Sequence, residues 1–312
     1  MKPEFPETLI EAIVHFSDAD TAFNFMVDLR WPNGVKCPRC TSDKLTFIST
    51  RKTWECKCCT EKKQFSVKTG TIFEDSPLSL TKWLATIWLL ANAKNGVSSY
   101  EVHRAIGVTQ KTAWFMLQRI RLAMQTGSFE KMKGDVEIDE TFIGGKARNM
   151  HAGRRKRSGI RTGSEGKTAV IGFLERGGKV RAQTLESQRR AIIDPLVREN
   201  VEKGANVFTD ELSSYDQLND EYVHEFVRHA EKYVEGQVHT NGLENFWSLL
   251  KRTLKGTYVS VDPEHLFRYL DEQVFRFNNR KTDDAGRFLR AVVAVIGKRL
   301  TYDQLTGKFQ PA

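Results

Sequence analysis

Apolar positions at helical spacing run from Leu78 to Ala93 and predict a buried helix. Ser98-x-x-Glu101 has the form of a capping box, so a second helix starts near Ser98 and runs to Ile106, where Gly107 ends it. Thr109 then caps a third helix, whose Ala113, Leu117, Ile120 and Met124 form one stripe. Helix, glycine-containing turn and helix is the order of a helix-turn-helix, although a plain three-helix bundle shares it. Gln110, Lys111, Gln118, Arg119 and Arg121 fall on the remaining faces of the third helix and suit a surface for DNA.

From Gly134 the pattern changes to short β-branched runs broken by glycine. Asp135 to Gly145 reads as a strand ending in a glycine turn. Thr168–Leu174 and Lys179–Leu185 read as the next two strands, joined through Arg176-Gly-Gly178. A helix over Gln188–Lys203 follows, then a strand over Ala205–Asp210 and a further helix from about Ser213. Three meandering strands, a helix, a strand and a helix is the order of an RNase H-like fold. Asn241–Lys255 predicts a helix with Leu243, Trp247, Leu250 and Leu254 as its apolar stripe. Asp262 and Pro263 read as N-cap and first residue of another, whose Leu266, Phe267, Leu270, Val274 and Phe275 should pack on the sheet. Phe288–Leu300 is a last amphipathic helix.

Four cysteines are spaced Cys37-x2-Cys40, fifteen residues, Cys56-x2-Cys59. This is the spacing of a tetrahedral zinc site with two thiolate knuckles. Strand-like Leu45–Ser49 and Gln64–Val67 complete a zinc ribbon. Cys58 competes for the fourth position, but Cys56-x-Cys58 would be a tighter and rarer knuckle, so Cys59 is preferred. With all four thiolates engaged, the zinc is closed and structural. Arg51, Lys52, Lys57, Lys62, Lys63 and Lys68 surround the site and suit contact with nucleic acid.

Charge is concentrated rather than spread. The chain has 312 residues and a formal charge of +9, from 48 Lys and Arg against 39 Asp and Glu. Between Lys146 and Lys167 lie eight basic residues and one acid, Glu165, a net +7. Arg154, Arg155, Lys156 and Arg157 form the centre of this glycine-rich stretch, which reads as a basic loop for a polyanion. At 40% hydrophobic and 28% charged, the composition excludes a disordered chain and a coiled-coil rod. Glu4, Glu7 and Glu11 stand where a secretory leader needs an apolar run. The longest largely apolar stretch, Trp83–Ala93, is 11 residues and too short to span a bilayer. A cytoplasmic protein with no membrane partner is expected.

The predicted order brings three carboxylates into view. Asp139 lies on the first strand, Asp210 at the end of the fourth, which would be its neighbour, and Glu244 near the start of the Asn241–Lys255 helix. Lys251, seven residues on, shares the face of Glu244. Converging carboxylates repel, and divalent cations resolve the repulsion; hard oxygen donors select Mg²⁺ or Mn²⁺. Such ions serve in-line phosphodiester displacement. Glu137 shares the strand face of Asp139, Glu211 adjoins Asp210, and any one of these acids could equally be solvated or ion-paired.

Three blocks carry a resemblance. They are Glu137-Ile-Asp-Glu-Thr-Phe-Ile-Gly-Gly-Lys146, Phe208-Thr-Asp-Glu-Leu-Ser-Ser-Tyr215 and His239-Thr-Asn-Gly-Leu-Glu-Asn-Phe-Trp-Ser-Leu-Leu-Lys-Arg252. Together with the ribbon, Gln64–Phe73 and Arg276–Lys281, they resemble a bacterial insertion-sequence DDE transposase of the zinc-ribbon branch related to Merlin elements. The resemblance spans Trp31 to Tyr302. It implies a catalytic triad of Asp139, Asp210 and Glu244, with 33 residues between the last two. Asn241, one turn earlier, is the alternative third position; a carboxylate is the stronger Mg²⁺ ligand. Lys251 and Arg252 are implied to contact the end DNA, and His239 reads as structural or as touching the site.

The resulting expectation is a multidomain α/β protein. Its parts are a helical lead (1–36), a zinc ribbon (37–74), a helix-turn-helix-like module (75–130), an RNase H-like catalytic domain (131–281) and a C-terminal helix and tail (282–312). The expected function is a Mg²⁺-dependent DNA transposase that cleaves element ends and joins the freed 3′ hydroxyl to target DNA. Its expected partners are double-stranded DNA and a second copy of the chain, since two ends must be joined. Two other readings share parts of the pattern. A catalytically silent DNA-binding regulator leaves the α/β domain without a purpose. A structure-specific nuclease leaves the ribbon and the His239–Arg252 block unexplained.

Overall fold

A computed structural model of the chain describes residues 5–125, 130–145, 151–153, 157, 165–210, 221–227 and 239–306, with backbone alone at 210 and 224–227. Packing divides it into two compact units, residues 1–125 with 279–312, and residues 126–278. Among the described residues no helix is long and apolar enough to cross a membrane.

In the first unit, α1 (Leu9–Ser17) and α2 (Ala19–Arg30) start at the side-chain caps Thr8 and Asp18. The ribbon is an antiparallel sheet of β1 (Leu45–Ile48), β2 (Thr53–Cys56) and β3 (Gln64–Ser66), in that order. A sheet this small has little core of its own. Trp54 of β2 supplies it by packing its ring 5.7 Å from Phe23, 5.4 Å from Trp31 and 5.7 Å from Phe65. Then come α3 (Leu80–Asn92), α4 (Ser99–Ile106) and α5 (Gln110–Met124). The capping box at Ser98 and Glu101, the left-handed Gly107 (φ 62°) and the Thr109 cap all form as the sequence predicts.

One expectation for α5 is overturned. Gln118, Arg119 and Arg121 are buried, not displayed. The Arg119 guanidinium donates to the carbonyls of Ile72 and Glu74, each at 2.9 Å, and of Leu300 at 3.0 Å, and lies 4.4 Å over the Phe115 ring. These carbonyls belong to irregular backbone that offers them no ladder, so a long charged donor from the helix satisfies them. Gln110, half-buried, and Lys111, exposed, remain in the first turn of α5.

The second unit is built on a five-stranded sheet in the order β6-β5-β4-β7-β8. The strands are β4 (Asp135–Ile143), β5 (Thr168–Glu175), β6 (Val180–Leu185), β7 (Asn206–Asp210) and β8 (Val223–Val227). β4, β5 and β6 pair antiparallel, and β4, β7 and β8 pair parallel. On one face Val136, Ile138, Ile171 and Phe173 form a core with Ile193 and Val197 of α6 (Arg190–Asn200). On the other, Val170 and Leu174 pack with Leu243, Phe246, Trp247 and Leu250 of α7 (Asn241–Thr253) and with Leu270 and Val274 of α8 (Leu266–Asn278). Strand alternation on β4 separates the two faces, so Glu137, Asp139 and Thr141 share the side of α7. α7 stops at Thr253 and continues as one π-helical turn over Leu254–Tyr258. The helix expected from Ser213 lies outside the described residues.

The chain then returns to the first unit with α9 (Asp284–Val293). It begins earlier and ends earlier than the expected Phe288–Leu300. Phe288 is fully buried against Phe16, Phe25 and Trp88, at ring separations of 5.7, 6.2 and 4.9 Å. Farther on, the Lys298 ammonium donates to the carbonyls of Leu122, Ala123 and Gln125 at 2.7–3.0 Å. A cation there satisfies the exposed carbonyl end of α5. Residues 279–306 therefore belong with the ribbon and the helices rather than forming a separate tail.

Candidate metal centre and acidic site

The first cluster is in the ribbon. Cys37 and Cys40 lie in the turn before β1, Cys56 ends β2, and Cys59 follows three residues later. Their sulfurs all lie within 4.8 Å of one another. Cys37 Sγ is 3.8 Å from Cys59 Sγ, while Cys40 Sγ is 3.5 Å from both Cys56 and Cys59. Four sulfurs at about 2.3 Å from a tetrahedral Zn²⁺ stand about 3.8 Å apart, so this donor set fits that ion. Cys58 points elsewhere, with its sulfur 3.2 Å from Ser42 Oγ. Burial pushes the Cys56 thiol up, but the N–H groups of Cys58 and Cys59 outweigh it and hold the thiol down to about 7. Hydrogen bonding to Cys40, with burial, pushes Cys59 up to about 12. Without a cation the cluster thus shares its protons unevenly, and a bound metal would displace them.

The second cluster surrounds the junction of β4, β7 and α7. Asp139 lies level with Gly172 of β5. Across β4 from there, the parallel register pairs Asp135 with Asn206 and Glu137 with Phe208. Two residues beyond that last pair, each strand carries one of the predicted acids, Asp139 on β4 and Asp210 at the end of β7. Trp247 of α7 reaches the strand and donates its Nε1–H to Asp139 Oδ2 at 2.9 Å. Oδ1 of Asp139 accepts the Glu140 N–H at 2.8 Å. The close approach depends on Gly172, because a Cβ there would stand 2.6 Å from the Trp247 ring.

Glu244 and Asn241 are both exposed in the first turn of α7, Glu244 one turn before Trp247. Lys251 and Arg252 are exposed in its last turn. The structure therefore joins Asp139 to α7 through Trp247 and puts it on the strand beside the one that ends at Asp210. Of the basic loop, Arg154, Arg155 and Lys156 lie outside the described residues; Arg157 is exposed.

Two residues at this junction do more than their sequence positions suggest. Glu137, 1% exposed, accepts the Arg176 Nε–H at 3.1 Å and the Leu243 N–H at 3.0 Å. Arg176, in the turn between β5 and β6, also donates to the His239 carbonyl at 2.7 Å. His239 Nδ1 is 3.5 Å from Glu137 Oε1, so this histidine belongs to the support of α7. The one signal for Glu137 in the sequence is its position on the strand face of Asp139. Arg176 sits in a hairpin turn, where a basic residue is ordinarily solvated.

Comparison with known proteins matches residues 131–278 to the ISXO2-like transposase domain and residues 17–62 to the transposase zinc-ribbon domain. The first match ends where the second compact unit ends. A protein in transposable element ISH50 of Halobacterium salinarum is 29% identical over 262 residues, 80% of this chain and 87% of that protein. A transposase-like protein of Haemophilus influenzae is 32% identical over 116 residues, 37% of this chain and 94% of that protein.

Proposed function

The chain belongs to the insertion-sequence transposases that combine a transposase zinc ribbon with an ISXO2-like transposase domain, and on that premise we propose that it cleaves DNA at the ends of its element and joins the freed 3′ hydroxyl to target DNA. The second unit is read as an RNase H-like fold, supported by three antiparallel strands continued by two parallel ones. One observation supports the assignment of the site: β4 and β7 are parallel neighbours with Glu137 opposite Phe208, and Asp139 and Asp210 each follow two residues later.

In this reading Asp139, Asp210 and Glu244 are the metal ligands, with Asn241 as the alternative to Glu244. A divalent cation, when bound there, supplies charge neutralisation at the scissile phosphate and activation of the attacking hydroxyl. The indole of Trp247 fixes one oxygen of Asp139, leaving the carboxylate a single orientation. Lys251 and Arg252 take phosphates of the end DNA, and Arg154, Arg155, Lys156 and Arg157 add affinity without sequence choice. Cys37, Cys40, Cys56 and Cys59 hold a structural Zn²⁺, and the ribbon and the α4–α5 turn bind duplex DNA. A homodimer working in the cytoplasm would join two ends.

Cleavage of a labelled end duplex in Mg²⁺, with Ca²⁺ as a binding control, tests the chemistry. Asp139→Asn and Asp210→Asn should lower cleavage by several orders of magnitude, roughly as loss of a metal ligand requires, while binding survives. Wild-type cleavage by Asp139→Asn would overturn the proposal. A dead Asn241→Ala beside an active Glu244→Gln would move the third ligand to Asn241. For the ribbon, metal analysis should return about one zinc per chain, unchanged in Cys58→Ser and lost in Cys59→Ala.

A further inference from the structure

We infer that Arg176 is a positioning residue for the proposed metal site, joining the three segments that carry its ligands; this role rests on the ligand assignment proposed for that site. Arg176 touches each segment two residues ahead of a proposed ligand. On β4 its Nε donates to Glu137, two before Asp139. On β7 its guanidinium lies 4.0 Å over the ring of Phe208, two before Asp210. At the entry to α7 its Nη2 donates to the carbonyl of His239, two before Asn241 and five before Glu244.

Arg176 is itself anchored. Its N–H donates to the Asp135 carbonyl at 2.9 Å, and its Nη1 stands 3.9 Å from Asp135 Oδ2. The turn that carries it is closed by the Gly178 N–H to the Glu175 carbonyl at 2.8 Å. Its side chain is 19% exposed, and the Glu137 side chain only 2%. A carboxylate so buried is tolerated only with a partner charge and filled lone pairs, and Arg176 is that charge.

The second oxygen of Glu137 does the capping that α7 lacks. Thr240 stands at the N-cap position but makes no side-chain cap hydrogen bond. Glu137 Oε2 instead accepts from Leu243, the third residue of the helix. A negative group there also suits the positive end of the helix. Gly242 permits the approach, since a Cβ would stand 2.7 Å from the same oxygen. The start of α7 is thus referenced to the sheet rather than to its own loop. Lysine would not replace arginine, because its single nitrogen lacks the separate positions from which Nε and Nη2 donate and the planar face that lies over Phe208.

A role confined to stability would change melting and leave metal affinity alone. Positioning predicts the reverse split, because outer partners of metal ligands typically change affinity by about 10–100-fold. The test uses the full chain on end DNA, with Mn²⁺ affinity read by electron paramagnetic resonance titration and the Mg²⁺ half-saturation of cleavage read beside it. Arg176→Lys should weaken Mn²⁺ and raise the Mg²⁺ requirement by about tenfold or more, with DNA affinity in Ca²⁺ within about twofold. Glu137→Gln and Phe208→Leu, each severing one arm of Arg176, should show the same direction and decide the matter if Arg176→Lys does not fold. Unchanged Mn²⁺ affinity in the folded variants overturns the inference. Asp139→Asn is run in parallel: if it binds Mn²⁺ and cleaves normally, the site reading itself has failed. If it is inactive while Arg176→Lys matches wild type, only the positioning role has failed.

Discussion

α5 and α7 are both amphipathic and both carry basic residues beyond their apolar stripe, yet they place them oppositely. On α5, Arg119 and Arg121 are 5% and 1% exposed; on α7, Lys251 and Arg252 are exposed. The difference lies in what surrounds each helix. α5 is covered by α3, by α4 and by the returning C-terminal segment, and irregular backbone at Ile72, Glu74 and Leu300 presents carbonyls needing donors. α7 packs one stripe on the sheet and α8, and its other side is left to solvent. An arginine on a helix is therefore evidence for a DNA face only when no neighbouring backbone requires it.

The largest effect that would sharpen this contrast is expected at Arg119. Arg119→Ala orphans three carbonyls and should cost at least about 3 kcal/mol of stability in a urea melt, with DNA affinity of the folded fraction unchanged. A stable variant unable to bind DNA would break the comparison and return α5 to the role of a displayed helix. Next is the seat of α7. Gly172→Ala drives a methyl group into Trp247 and should cost about 1–3 kcal/mol, and cleavage should fall further than melting alone explains, because the indole leaves Asp139. The smallest stability effect is expected at the exposed end of α7. Lys251→Ala and Arg252→Ala should stay within about 0.5 kcal/mol of wild type. Each should instead reduce the slope of log affinity against log salt by about 1 for every phosphate left without its cation, and Ala at 154–157 should flatten it further. Unchanged slopes would mean that these cations are merely solvated.

The same contrast explains what could be read from the sequence. Local signals were sufficient where the physics is local: Ser98 with Glu101, Gly107 and Thr109 mark helix ends within four residues of themselves. Cysteine spacing selected the four sulfurs that converge, and rejected Cys58. The position of Asp139 and Asp210 on neighbouring strands followed from element order, which a parallel β4–β7 pairing realises. β2 and β8 are not among the strands the sequence predicts, whereas β1 and β3, no longer than β2, are. Least legible were partners distant in the chain. Arg119 finds carbonyls 45, 47 and 181 residues away, and Glu137 finds Arg176 and Leu243 at separations of 39 and 106. Nothing in either residue's own neighbourhood separates a buried charge from a solvated one.

Because Phe288 completes the ring cluster of Phe16, Phe25 and Trp88, synthesis and completion run in opposite orders in this chain. The first unit opens before the second in the chain, yet its core can close only after residues 126–278 have been made. The second unit has all its residues on hand by Asn278. A product cut short there would hold the acidic site entire while leaving an apolar gap where Phe288, Val292 and Val295 belong. Exposed surface of that kind invites aggregation and proteolysis. Residues 279–306 are thus a structural requirement of the first unit rather than an appendage to it.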